Sequence, residues 1–330
     1  MPFALSHPQD TAEREEGVPF YQLSTYTLQH SDTLPPRWQN FHFSVRAFKV
    51  LPPCDAVGLL SGSDSTGLVV WSGALALVEW LLHHPDRLDA AVITSAARPA
   101  TAAGTDASTS EAHIIELGCG SGIATAGLYA LLSRRRKSLG VEQHTLAAPT
   151  HLWATDGNPE CVELAQRNLN EQCSANRDDD LSCGVTASAA LLPWGDDGAI
   201  EQLLGGFLGG ASSSFPPAVT VMSADVLYDA AAVPLLVSTV AKVADLRARA
   251  YAPGDSEKSL QWWLAYTPRS LTRAGNECIY QMLVDSFAER GWAYDVFPLP
   301  EGAVITGFEE RRDCDTPALR GCILMVRVRA

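Results

Sequence analysis

The residues of this chain that could do chemistry gather in four short stretches. Glu116-Leu-Gly-Cys-Gly-Ser-Gly122 is a glycine turn led by an acid. Asp156 lies in HLWATDGNPE, Trp194 in LLPWG, and Asp225 and Tyr228 in SADVLYD. Glycines at 118, 120 and 122 let backbone come close to a ligand. Two ligand classes compete for such a turn. A dinucleotide fingerprint places its third glycine where Ile123 stands, and a pyrophosphate is repelled by a carboxylate such as Glu116. S-adenosyl-L-methionine has no phosphate, and its sulfonium and amino group welcome an acid. The spacing therefore favours S-adenosyl-L-methionine; a glycine turn with no ligand is the bland alternative.

Asp156 ends the next apolar stretch, where a carboxylate can accept both hydroxyls of a ribose through charge-assisted hydrogen bonds. Capping of the following helix is the competing role, but Asn158, before Pro159 and Glu160, is the better cap. Trp194 offers an aromatic face that could cover an adenine, or a core ring. Asp225 and Tyr228 pair an anion with a ring, which suits a lysine ammonium. The competing role for Asp225 is a helix cap, which Asp229 serves equally well.

These residues need strands that end together. Apolar strands are expected at 113–117, 151–155, 184–188, 218–224, 262–266, 292–297 and 322–328. Helices are expected at about 122–136, 159–172, 233–249 and 270–290. That alternation predicts an α/β fold: a parallel sheet with helices on both faces and its ligand at the carboxyl ends of the strands. Ahead of it, LVVWSGALALVEWLL at 68–82 reads as a buried helix packed over one edge of the sheet. FHFSVRAFKV at 41–50 reads as a strand, and the first thirty residues as a loose lead-in. The chain thus divides into a lead-in over 1–60 and a main domain over 61–330. Insertions are expected at 95–112, 133–150 and 205–217. The second of these accounts for the long separation of Glu116 and Asp156. Arg134-Arg135-Arg136-Lys137 suits a helix end, where cations meet the negative dipole.

Composition narrows the function. Lys and Arg number 24 against 38 Asp and Glu, a net charge of −14, which excludes a dedicated nucleic-acid binder. Eight cysteines form no CxxC pair and no zinc-type cluster, so no metal is expected and the thiols read as reduced. The start has no secretory pattern, and the longest uncharged stretch, 202–224, is broken by Gly, Ser and Pro. These features together predict a cytoplasmic protein, with the nucleus as the other compartment, and no membrane partner.

The same motifs resemble the seven-strand protein lysine methyltransferases that use S-adenosyl-L-methionine. TGLVVWSGALALVEWLL at 66–82, IELGCGSG at 115–122, ATDGNP at 154–159, LLPWG at 191–195 and SADVLYD at 223–229 align in order. Within that family the tryptophan helix and AYTPRS at 265–270 resemble the elongation factor 2 lysine methyltransferase group. Ile123-Ala-Thr replaces that group's Leu-Thr-Gly, and its long N-terminal extension is shorter here. A related group that modifies a nuclear DNA/RNA-binding protein has a similar tryptophan helix.

The resemblance implies a Rossmann-like seven-strand sheet and S-adenosyl-L-methionine as cofactor. Trp71, Gly118, Cys119, Gly120, Asp156, Trp194 and Ala224 would line it, with Glu116 beside them. It implies a monomer acting on a protein substrate that bears a target lysine. Asp225 and Tyr228 would then receive the lysine. With a reference pKa near 3.9, Asp225 is a poor base, so it is expected to bind and aim the amine. A small-molecule N-methyltransferase and a non-catalytic scaffold are the other classes on this fold; a closed pocket beside Tyr228 would favour the first, and loss of Glu116, Asp156 or Asp225 the second.

Overall fold

The structure is a computed structural model and describes residues 3–6, 21–28, 41–48, 66–93, 111–137, 149–175, 184–208, 217–250, 260–270, 272–299 and 316–330. Of the insertions expected at 95–112, 133–150 and 205–217, residues 95–110, 138–148 and 209–216 lie outside the described residues, as does the turn-rich stretch 51–65.

Strands β1 (Phe3–Ser6), β2 (Tyr21–Leu28) and β3 (His42–Phe48) form a small antiparallel sheet in that order. The loose lead-in of the sequence reading is therefore partly sheet. Its pattern was weak because the inward positions of β2 include Ser24 beside Tyr26. Tyr26 stacks on Phe43 with ring centroids 5.7 Å apart.

The main sheet has seven strands: β4 (Ala112–Leu117), β5 (Thr150–Asp156), β6 (Val185–Leu191), β7 (Ala218–Ala224), β8 (Leu260–Tyr266), β9 (Ala293–Pro298) and β10 (Cys322–Val328). Their order is β6-β5-β4-β7-β8-β10-β9. The neighbours among β4 to β8 are parallel, and β10 runs antiparallel to both β8 and β9. Strand order reverses at β4, with β5 on one side and β7 on the other. A crevice for a ligand forms at such a switch point.

The helices are α1 (Ser72–His83), α2 (Pro85–Ile93), α3 (Ile123–Lys137), α4 (Pro159–Ala175), α5 (Asp197–Leu208), α6 (Ala232–Ala250), α7 (Arg273–Glu289) and the short α8 (Pro317–Arg320). They cover both faces. Ile114, Met222 and Trp263 join α1 to α4 in one core, while Ile115, Val221 and Trp262 join α5 to α7 in the other. The alternation follows from the two-residue period of a strand.

Three further differences from the sequence reading have physical reasons. Helix α1 lies over the middle of the sheet, against α3, β7 and β8, rather than over one edge. Every residue from Gly73 to Leu82 is buried, and a helix apolar on all sides but for Glu79 finds that burial only at the centre. The strand expected at 184–188 runs from Val185 to Leu191. Helix α5 carries Gly205 and Gly206, so it read as the start of an insertion; only Ile200 and Leu204 are buried, and the glycines face open space.

Edge strand β3 is covered by α4. The Asn168 side chain accepts a hydrogen bond from the Arg46 amide at 2.8 Å and donates to the Arg46 carbonyl at 2.9 Å. It also donates to the Ser121 carbonyl at 2.8 Å. Asn168 thus ties the N-terminal sheet to the glycine turn after β4, and satisfies backbone groups that an edge leaves unpaired.

Candidate functional site

The glycine turn leaves β4 as a tight hook. The amides of Gly118 and Cys119 both donate to the Thr155 carbonyl at 2.8 Å, and the Gly122 amide donates to the Cys119 carbonyl at 2.8 Å. Gly120 sits at φ 52°, the left-handed region that favours glycine. A Cβ there would lie 2.4 Å from the Gly67 carbonyl oxygen, so only glycine lets the segment before α1 press on the turn. At Gly118, φ 74°, a Cβ would lie 2.9 Å from the Trp194 ring and 2.7 Å from Val226. The structure thereby brings Trp194, from the loop after β6, to the glycine turn, partly buried against the second core.

Asp156, at the end of β5, is half-buried. One carboxylate oxygen accepts from the Gly120 amide at 2.9 Å, the other from the Asn158 amide at 2.9 Å. Asn158 is the cap of α4: its side-chain oxygen accepts from the Glu160 amide at 2.9 Å.

Glu116 points beneath the turn. One of its carboxylate oxygens accepts from the Thr125 amide at 3.1 Å and from the Thr125 hydroxyl. It is 2 % exposed. Burial pushes its pKa up to about 8, against the opposing Thr125 hydrogen bonds. At neutral pH its carboxyl is therefore largely protonated, a different state from the anion that the sequence reading placed before a cation. Cys119 is buried beside it, and burial holds the thiol well above its ordinary pKa.

Trp71 immediately precedes α1, rather than lying within it. It meets a second cluster at the ends of β7 and β8. Asp225 follows Ala224 and stands at φ 60°, the only positive φ at a non-glycine residue among the described residues. Such a conformation costs about 1 kcal/mol and persists where the surroundings fix it. Here they do. The Asp225 amide donates to the Ala265 carbonyl at 3.1 Å. Its Oδ2 accepts from the Gly73 amide at the start of α1. The carboxylate lies against Gly73, where a Cβ would be 2.5 Å from Oδ2. Arg269, in the loop after β8, places Nη2 2.8 Å and Nε 3.1 Å from Asp225 Oδ1. The Arg269 guanidinium also lies over the Trp71 ring, 3.7 Å from its centroid.

The Asp225 side chain is 2 % exposed. Burial raises its pKa, opposed by Arg269 and by the amides of Gly73 and Ala74. The carboxylate is thus turned inward onto α1 and Arg269, where the sequence reading turned it toward an incoming amine. Tyr228, three residues on, is 50 % exposed and stands at the rim.

Two groups of predicted residues therefore assemble at the carboxyl ends of neighbouring strands. Gly118, Cys119, Gly120, Asp156 and Trp194 surround the turn after β4, with Glu116 below it. Ala224, Asp225, Trp71 and Tyr228 lie around the end of β7. Arg269, Gly73 and Thr125 complete these groups and were missed as functional residues. Arg269 stood in the quoted AYTPRS motif, but its pairing with Asp225 depends on β7 and β8 being neighbours. Among the described residues, no cluster of three or more His, Cys, Asp or Glu could hold a metal, and no helix is long and apolar enough to cross a membrane.

Residues 60–252 match the model of a family described as lysine methyltransferase. No curated protein sequence matches the chain. Among solved structures, it is similar to an O-methyltransferase family 2 protein from Planctomyces limnophilus in complex with apigenin, at 14% identity and a TM-score of 0.33. That match covers 82% of this chain and 63% of the other, so the chain spans less than two thirds of that protein's length. It is also similar to a human methyltransferase 10 domain containing protein, at 11% identity and a TM-score of 0.36, covering 79% of this chain and 84% of that one.

Proposed function

Since the chain belongs to the lysine methyltransferase family, we propose that it transfers the methyl group of S-adenosyl-L-methionine to a lysine side chain of a protein, and that elongation factor 2 is the acceptor to test first. One observation carries the reading: the glycine turn leaves β4 at the switch point, with Asp156 at the end of β5 on one side of it and the Asp225 cluster with Tyr228 after β7 on the other. A donor and an acceptor would meet between them.

The residues fit S-adenosyl-L-methionine. Gly118 and Gly120 let Trp194 and the segment before α1 close directly on the turn, which sets the walls a ligand would meet. The half-buried Asp156 carboxylate would hold the ribose, Trp194 would cover the adenine, and Trp71, Cys119 and Ala224 would line the remaining wall. Glu116 would support the turn from below through Thr125. When bound, S-adenosyl-L-methionine supplies an activated methyl on a sulfonium.

The acceptor must arrive as a neutral amine. A free lysine has pKa about 10.4, so deprotonation at pH 7 costs about 4–5 kcal/mol. Desolvation in the crevice and the nearby sulfonium charge favour loss of the proton to water. Bound S-adenosyl-L-methionine would supply the methyl group, its sulfur keeping the S–C electron pair as the amine lone pair formed the N–C bond. The protein's part is to align the two and exclude water. Tyr228 would wall the lysine slot, and Asp225, held by Gly73 and Arg269, would fix the rim from which Tyr228 projects. The half exposure of Tyr228 supports a large acceptor reaching in from solvent over an enclosed small molecule. The chain would act as a cytoplasmic monomer.

The test is calorimetric titration with S-adenosyl-L-methionine, followed by incubation of both with purified elongation factor 2 and mass spectrometry of its lysines. Methylated lysine supports the reading. Cofactor binding without transfer to elongation factor 2 keeps the donor half and discards that substrate.

A further inference from the structure

The Asp225 cluster has the chemistry of a receptor for a cation, a buried carboxylate beside an aromatic ring, yet the chain fills it with its own Arg269. Three separate segments meet there: Trp71 before α1, Asp225 after β7 and Arg269 after β8. Arg269 has only 12% of its side chain exposed, donates to Thr267 Oγ1 at 3.3 Å and lies over the Trp71 ring. Displacing it would leave a buried carboxylate without its counter-ion, a costly outcome. An acceptor lysine entering past Tyr228 therefore meets a neutralised pair.

We propose that Arg269 is a positioning residue for methyl transfer that cancels the charge of Asp225, so that the acceptor lysine can give up its proton before attack. The inference rests on the lysine-transfer reading above. The physical reason is a sign. A bare carboxylate beside the lysine would stabilise the ammonium and raise its pKa, and the ammonium has no lone pair to attack with. With Arg269 in place, the charges of the Asp225–Arg269 pair sum to zero. Among the described residues Arg269 is the only charged group that acts on the Asp225 carboxyl; α1 contributes only the amides of Gly73 and Ala74. The other titratable groups on the packed elements stand apart from the pair: Glu79 and His83 lie farther along α1, and exposed Asp229 accepts from the Ala231 amide.

The test is the pH profile of single-turnover methyl transfer, using labelled S-adenosyl-L-methionine and a eukaryotic cytosolic extract, with cofactor affinity measured on the same samples. Arg269→Gln leaves Asp225 bare and is expected to move the ionisation that limits transfer upward by about one pH unit. Its rate is then roughly tenfold lower at neutral pH and recovers in alkali. Arg269→Lys keeps the charge and is expected to hold the wild-type profile. Asp225→Asn leaves Arg269 uncompensated and is expected to move the limb the opposite way, toward lower pH. This second variant keeps the test decisive if Arg269→Gln does not fold. A purely structural role lowers the rate equally at every pH, and that result, or profiles unchanged in position, overturns the proposal. Wild-type protein that binds the cofactor but labels no protein at any pH overturns the lysine-transfer reading and this inference with it.

Discussion

Asp156 and Gly120 are joined by a 2.9 Å hydrogen bond from the Gly120 amide to the aspartate carboxylate, 36 residues apart in the chain. The acid proposed to hold the ribose is therefore also what holds the glycine turn in place. Asp156→Ala is expected to weaken S-adenosyl-L-methionine binding by tenfold or more, about 1.4 kcal/mol, since it removes a charged hydrogen bond and frees the turn. Calorimetry on the folded variant checks this; unchanged affinity would remove Asp156 from the cofactor site.

Glu116 makes stability fall as pH rises. Its folded pKa, about 8, lies above the ordinary value of 4.5. The folded state therefore binds more protons between these values, and the associated stability is complete below pH 4.5 and lost as pH rises through about 8. Glu116→Gln keeps an acceptor for Thr125 and cannot ionise. Its melting temperature is expected to exceed that of the wild type by several degrees at pH 8.5, with the gap closing toward pH 4.5. A gap that does not change with pH would show that Glu116 is not buried in this way.

His113 contributes the opposite slope. It is 4% exposed and stacks on Phe207 with centroids 3.9 Å apart, and burial lowers its pKa from 6.5 to about 4. Unfolding then takes up a proton between pH 6.5 and 4, so stability is lost as pH falls through that window. Denaturant unfolding of wild type and His113→Gln at pH 7 and pH 5 is expected to show a smaller acid loss in the variant. Equal losses would mean that another group carries the acid sensitivity.

Asn168 links β3, α4 and the glycine turn through three hydrogen bonds. Asn168→Ala strands the Arg46 and Ser121 backbone groups, at a cost of about 1–3 kcal/mol. Limited proteolysis is expected to cut the N-terminal sheet of the variant faster, and its cofactor affinity to fall by a few-fold. Wild-type proteolysis with intact affinity would show that the sheet does not brace the turn.

Local patterns made much of this legible. The glycine turn, the Asn158 cap and the alternation of short apolar strands with helices are local patterns, and they locate β4, β5, β7 and helices α3 and α4. What stayed hidden depends on distant partners. β2 buries Ser24, so its period is blurred, and α5 carries two solvent-facing glycines that resemble a loop. The inward turns of Glu116 and Asp225 are set by Thr125, Gly73 and Arg269, whose positions only the packed helices and neighbouring strands decide. Residue type marked where the acids sit. Which way they point was a matter of tertiary contact.

In the proposed reaction the methyl group ends on lysine nitrogen. Protein labelled with S-adenosyl-L-methionine carrying a tritiated methyl, in the presence of the chain and a cytosolic extract, can be hydrolysed in acid and its amino acids separated. Label is expected in Nε-methyllysine, and is expected to be lost when Asp156→Ala replaces the wild type. Label released by mild base as methanol from carboxyl esters, or found only in small molecules, would contradict it.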